Sequence, residues 1–118
     1  MSATEPAHLF AHPSESEFAS LLDFYRIPWQ YEPRSFPLRY DESGRVTESF
    51  TPDFYLPDAD LYIELTTLRQ SLVTKKNRKL RRLRELYPDI NIKLLYRRDF
   101  LSLARRFGLR TLEPAGTT

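Results

Sequence analysis

Cysteine is absent from this chain of 118 residues. Its absence excludes disulfide frameworks, thiolate zinc sites and thiol nucleophiles. Histidine is nearly as scarce: His8 and His12 are the only imidazoles, both near the N-terminus. That argues against a histidine-rich metal site and against a Ser-His-Asp triad. No apolar run approaches the roughly 20 residues of a membrane span. No basic segment followed by an apolar stretch reads as a secretory signal. The expectation is a soluble, cytoplasmic protein with no membrane partner. Glycine is sparse too, and Asp41-Glu42-Ser43-Gly44 is the only glycine-bearing turn in the first hundred residues.

What is present suffices for one domain. The apolar fraction is 41%, with 8 Phe, 7 Tyr and 1 Trp, enough for a single core and too aromatic for a disordered chain. The length leaves no room for a second full domain. The net charge of +2 hides a segregation: residues 1–64 hold 12 acids against 4 bases, and residues 65–118 hold 14 bases against 4 acids. The densest stretch, Arg69 to Arg84, has eight bases and no acid. Such a surface suits a polyanion such as nucleic acid, or is simply a solvated helix face.

Residues 1–13 read as a loose arm, 14–112 as a single domain and 113–118 as a frayed tail. Ser14-Glu15-Ser16-Glu17 has the form of a capping box. Phe18, Leu21, Leu22 and Tyr25 follow at helical spacing, which predicts a helix over about 15–26, ended by Pro28. Trp29-Gln30-Tyr31-Glu32 alternates like a strand, with Pro33 and Pro37 enforcing an edge or a break. Phe50, Phe54, Tyr55 and Leu56 form a second extended segment between prolines. Leu61 to Thr67 is rich in strand formers and reads as a central strand. Ser71 to Tyr87 is helical, with Leu72, Val73, Leu80, Leu83, Leu86 and Tyr87 on one side. Ile90 to Tyr96 is a further strand, and Asp99 caps a short helix from Phe100 to Phe107 with Gly108 as its C-cap. The predicted order is αβββαβα: a small mixed α/β (α+β) sheet flanked by helices.

Two acids stand where chemistry is plausible. Asp53 lies in Thr51-Pro52-Asp53-Phe54. Glu64 is embedded in Tyr62-Ile63-Glu64-Leu65, where Tyr62, Glu64 and Thr66 share one strand face. A carboxylate between covered faces is costly unless it binds a cation or a paired base. Two converging carboxylates make a hard oxygen site suited to Mg²⁺ or Mn²⁺. The plainer reading has Asp53 capping a turn and Glu64 in a surface ion pair.

Asp53, ten residues, then Glu64 in an apolar strand resembles the PD-(D/E)xK nuclease superfamily. The similarity runs over roughly residues 14–100. It includes an acid on the first helix, Ile27 to Pro33, Phe50 to Pro57, Tyr62 to Thr66, a basic helix, Tyr87-Pro88 and the strand Ile92 to Tyr96. It is similar in particular to the phage endonuclease I type of Holliday-junction resolvase. The resemblance implies a restriction-endonuclease-like core and Mg²⁺- or Mn²⁺-dependent hydrolysis of nucleic-acid phosphodiester bonds. DNA, including branched DNA, would be the expected substrate, and a homodimer would suit two symmetric cuts. By position, Asp53 resembles the metal-bridging aspartate and Glu64 the second ligand. The acid of the first helix that helps hold the metal or its water shell is matched by Glu15, which its spacing to Tyr31 favours, with Glu17 as the alternative at the other margin of the apolar face.

The family expects a lysine two residues after the glutamate, where this chain has Thr66. Either catalysis is lost or a lysine comes from elsewhere. At 100° per residue, Lys76 falls near the centre of the stripe made by Leu72, Leu80, Leu83 and Tyr87. It is the candidate replacement, with Glu64 as its partner, or else a snorkelling lysine whose stem covers apolar surface. Lys75 and Lys79 lie at the edge of the stripe. Arg78, Arg81, Arg82 and Arg84 point away and suit phosphates. Arg69 and Gln70 are further candidates for phosphate contact. Three functions are consistent with these residues: a metal-dependent nuclease, an inactive nuclease-fold module that binds nucleic acid or assists another enzyme, and a protein-interaction domain with a basic docking helix.

Overall fold

The strand predicted to be central is central. In the computed structural model, which describes residues 10–66 and 70–112, strand β5 (Leu61–Thr66) lies between two neighbours. Among the described residues there are three α-helices: α1 (Pro13–Phe24), α2 (Gln70–Leu86) and α3 (Phe100–Leu112). The remaining strands are β1 (Gln30–Tyr31), β2 (Phe36–Tyr40), β3 (Val46–Phe50), β4 (Phe54–Leu56) and β6 (Ile92–Tyr96). One sheet has the order β1-β4-β5-β6, with β1, β4 and β5 antiparallel and β6 parallel to β5. The parallel pair requires a crossover, which α2 supplies. The protein is thus a small mixed α/β fold. Residues 1–9 of the expected arm, Arg69, the side chains of Gln70, Ser71 and Leu72, and the tail 113–118 lie outside what is described.

Alternation along the strands sorts the core into two layers. Phe54 and Leu56 of β4, Ile63 and Leu65 of β5 and Leu95 of β6 pack on Phe18 and Leu22 of α1 and on Phe100 and Leu103 of α3. From the opposite face, Tyr62 and Ile92 meet Leu80 and Leu83 of α2 and Phe36, Leu38 and Phe50 of β2 and β3. Glu64 and Thr66 share that second face with Tyr62, so they look towards α2.

Several expectations need correction. A separate antiparallel hairpin, β2–β3, runs through Pro37, so of the edge and the break that the prolines allow the structure has the edge, and a strand over 36–40 was not expected. Both strands of a two-stranded sheet are edges, so a residue without an N–H is tolerated there. The hairpin turn is built by Asp41, whose Oδ1 accepts from the amides of Ser43 and Arg45. The capping box does not form. Helix α1 begins at Pro13, His12 is the N-cap and its Nδ1 accepts from the Ser14 amide, while Glu17 reaches Arg97 instead. Nor is Phe10 loose: its ring packs edge-on against Tyr31, with centroids 4.9 Å apart. Helix α1 stops before Pro28 because Arg26 turns left-handed (φ 59°). The amides of Ile27 and Arg26 then close on the carbonyls of Leu22 and Asp23, a Schellman ending with arginine where glycine is usual. Helix α3 continues past Gly108 to Leu112, so Gly108 is no C-cap, and Asp99 lies in the 3₁₀ turn Arg97–Asp99 that precedes the helix. Leu86 is exposed rather than part of the packed face of α2.

Candidate active site

The site arises where β5 outruns β4. Strand β4 pairs with β5 only as far as Phe54 opposite Ile63. The next positions before β4 are Asp53 and Pro52, and proline has no amide hydrogen to give the Leu65 carbonyl. That carbonyl accepts from Lys76 Nζ, while the Leu65 amide donates to Asp53 Oδ2 at 2.9 Å. Glu32 N donates to the Asp53 carbonyl at 2.9 Å, which ties the other side of the turn to the end of β1. The local sequence therefore both ends the strand and places a carboxylate in the gap.

Glu64 is buried beside it. Its Oε2 lies 2.8 Å from Lys76 Nζ, and the same ammonium donates to the Leu65 carbonyl at 2.6 Å. Glu64 Oε1 is buried without a hydrogen-bond partner among the described residues. Besides Lys76, the Glu64 carboxyl has Asp53 as a polar neighbour, whose side chain and backbone lie within hydrogen-bonding range of it. Burial, reinforced by the Glu64 charge, pushes the Asp53 carboxyl up to about 8, against the stabilising Leu65 amide. Burial also raises Glu64, opposed by the bond and the charge of Lys76. Burial thus pushes both carboxyls towards their neutral forms, and Lys76 favours the charged form of Glu64.

Glu15 is the helix acid that faces inwards. It is buried, and its Oε1 accepts from Tyr31 Oη at 2.7 Å and from the Ala11 amide at 3.0 Å. Its charge adds to the upward push on Asp53. It does not complete a triad of ligands: among the described residues no three acidic or histidine side chains come together as a metal group. Glu17 is on the outer side, in an ion pair with Arg97 at 2.8 Å.

The cations of α2 divide into distinct environments. Lys76 is at the carboxylates. Lys75, Arg81 and Arg82 are exposed, and Lys79 is half-buried. Arg82 lies 3.6 Å from Glu85, and Arg78 reaches Glu48 of the hairpin at 3.9 Å. Arg84 is exposed, as expected, and in addition donates to the Ile92 carbonyl at 3.0 Å, which anchors α2 to β6. With Asn77, Arg81 and Glu85 it lines an open depression. Sequence reasoning missed the Leu65 main chain, whose amide and carbonyl bind Asp53 and Lys76. Half of the signal was available in Pro52, which lacks the amide from which the Leu65 carbonyl would otherwise accept.

Thr66 is buried on the same strand face as Glu64, so the second position after the glutamate carries no charge. Comparison of the chain with protein-family models, with curated proteins and with solved structures gives no match.

Proposed function

We propose that the protein is a metal-dependent endonuclease that hydrolyses phosphodiester bonds of nucleic acid, DNA in the first place, at Asp53, Glu64 and Lys76. One observation carries the reading: two buried carboxylates and an ammonium converge at the end of a strand, with one carboxylate oxygen unpartnered among the described residues. A site kept only for folding gains little from such a group, since apolar side chains of similar volume stabilise as well or better. Support also comes from the order of α1, three strands of the main sheet, α2, β6 and α3, with β2–β3 as an inserted hairpin. That order agrees with the αβββαβα core that the resemblance implies.

The donor set fits Mg²⁺ or Mn²⁺, which bind through one or two carboxylates and keep several waters. Asp53 and Glu64 would hold the ion, and Glu15, fixed by Tyr31 and Ala11, would receive its water shell. A bound ion there supplies an acidified water and charge neutralisation at the phosphate. The protein's own groups do the rest. Lys76 has three donors, of which Glu64 and Leu65 engage two. In the loaded site this ammonium would meet a phosphate oxygen or the attacking water, the role of the lysine that Thr66 replaces. Lys75, Lys79, Arg81 and Arg82 would follow the backbone, and a homodimer would present two such sites for paired cuts.

The second reading, an inactive nuclease-fold module that binds nucleic acid, is favoured by the uncharged Thr66. Duplex, single-stranded and branched DNA and RNA, incubated with Mg²⁺, Mn²⁺ or EDTA, separate the two. Metal-dependent cutting that leaves 5′-phosphate ends is expected. Salt-sensitive binding without cutting on every substrate would leave only the second reading.

A further inference from the structure

Lys76 takes up the oxygens that a cation would need. Its ammonium sits 2.8 Å from Glu64 Oε2 and 2.6 Å from the Leu65 carbonyl oxygen. Both are hard oxygen donors of the kind a divalent ion selects. Glu64 is more than nine-tenths buried, and its neighbouring Oε1 has no hydrogen-bond partner among the described residues. Lys76 thus engages one oxygen of the carboxylate, and Asp53 is a further neighbour of the same carboxyl. Its stem is long and its side chain keeps 22% exposure, so the ammonium has a route out towards solvent.

We infer that Lys76 is the resident counter-cation of this site, and that a divalent cation and the Lys76 ammonium exclude each other at Glu64 Oε2 and the Leu65 carbonyl. The inference rests on the cation-binding reading of Asp53 and Glu64, but not on cleavage. Without metal, Lys76 keeps the buried Glu64 charge compensated and the strand end folded. When a cation enters, the like charges repel at close range, and Lys76 swings away from the carboxylate. The released ammonium is then free for a phosphate oxygen beside the carboxylates. One lysine would serve both as guard of the metal-free fold and as phosphate ligand of the loaded site.

The test is titration calorimetry of Mn²⁺ into wild type and Lys76→Met at low salt, without nucleic acid. Removing the competing charge is expected to tighten Mn²⁺ binding by about tenfold or more. Equal or weaker binding by Lys76→Met overturns the inference and leaves the cation site standing. Lack of Mn²⁺ binding by both proteins overturns the site and the inference together. Tighter binding by a protein that cuts no nucleic acid upholds the inference and removes the nuclease reading. If Lys76→Met fails to fold, wild type decides by mass-spectrometric acylation of lysines. Lys76 should react severalfold faster in Mn²⁺ than in EDTA, with Lys75 unchanged, and equal rates at Lys76 would overturn the exclusion.

Discussion

Lys76, in the second turn of α2, reaches across to the carboxylate of Glu64 on β5 with a separation of 2.8 Å. This pair joins the helix with the densest positive charge to a strand that is otherwise apolar. It puts a positive charge where the position two residues after the glutamate, Thr66, has none. Each partner of such a pair depends on the other, yet the pair as a whole is a weak source of net stability.

Breaking the pair from one side should therefore cost more than removing it whole. Lys76→Met is expected to destabilise the protein by about 1–3 kcal/mol near neutral pH, since it leaves Glu64 buried and uncompensated. Lys76→Met combined with Glu64→Gln should recover most of that stability. Urea unfolding of the two single variants and the double variant measures the coupling. Additive effects would show that the pair does not form in solution.

Asp53 predicts a pH dependence with a definite sign. Its carboxyl titrates near 8 in the folded state against 3.8 unfolded. Between these values the folded protein holds a proton that the unfolded chain has released. Stability is therefore fully present below about pH 4 and falls as pH rises towards 8, by at most about 1.4 kcal/mol per pH unit from this group. Asp53→Asn removes the titration, so the wild-type decline between pH 5 and 8 should flatten in the variant. Parallel pH–stability curves would contradict the buried, coupled placement. Added Mn²⁺ should raise the melting temperature of wild type most at high pH, where no proton competes, and leave Asp53→Asn nearly unchanged.

The outer face of α2 is expected to give affinity without sequence preference. Arg81→Ala and Arg82→Ala together should weaken DNA binding and flatten the log–log salt dependence by about one unit for each phosphate that is no longer neutralised. Arg82 has Glu85 as a neighbour at 3.6 Å, so Arg81 should account for the larger share. Binding isotherms over a salt series measure this. An unchanged slope would mean that the face is only solvated.

A control away from the site concerns the end of α1. Arg26 has a φ of 59°, a conformation that disfavours side chains but not glycine. Arg26→Gly should stabilise the fold by about 0.5–1 kcal/mol in urea unfolding, with no change in cleavage or Mn²⁺ binding.

The parts legible in the sequence were those fixed by periodicity. Glu64 was placed on one face of β5 because Tyr62 and Thr66 bracket it at period two, and Lys76 was placed near it because Leu72, Leu80 and Leu83 define a helical stripe. The hairpin was not legible, because Pro37 and the charged Arg39 and Glu48 disguise β2 and β3. They pair through a register shift around Pro37 and Arg39, and Arg39 meets Glu48 in an ion pair at 3.1 Å. The competing start of α1 was a choice between caps that only tertiary contacts settle: Arg97, eighty residues away, takes Glu17. Arg84 is exposed as its place on the helix predicts, but its bond to Ile92 was not legible, because the carbonyl that receives it lies on a strand beyond α2.

Lysine at position 66 offers a check on the role of Lys76. Thr66→Lys combined with Lys76→Met moves the charge back to the strand that carries Glu64. If an ammonium near Glu64 is what cleavage needs, the double variant should regain part of the activity that Lys76→Met removes. No recovery in a folded double variant would mean that the approach from α2 matters as well as the charge.

The most direct measurement is the single-turnover cleavage rate of wild type, Asp53→Asn and Lys76→Met on one branched DNA, in Mg²⁺ and in EDTA. Cutting by wild type in Mg²⁺ only, with a rate at least about a hundredfold lower in each folded variant, is the expected result. Metal-independent cutting, or wild-type rates from Asp53→Asn, would contradict the account.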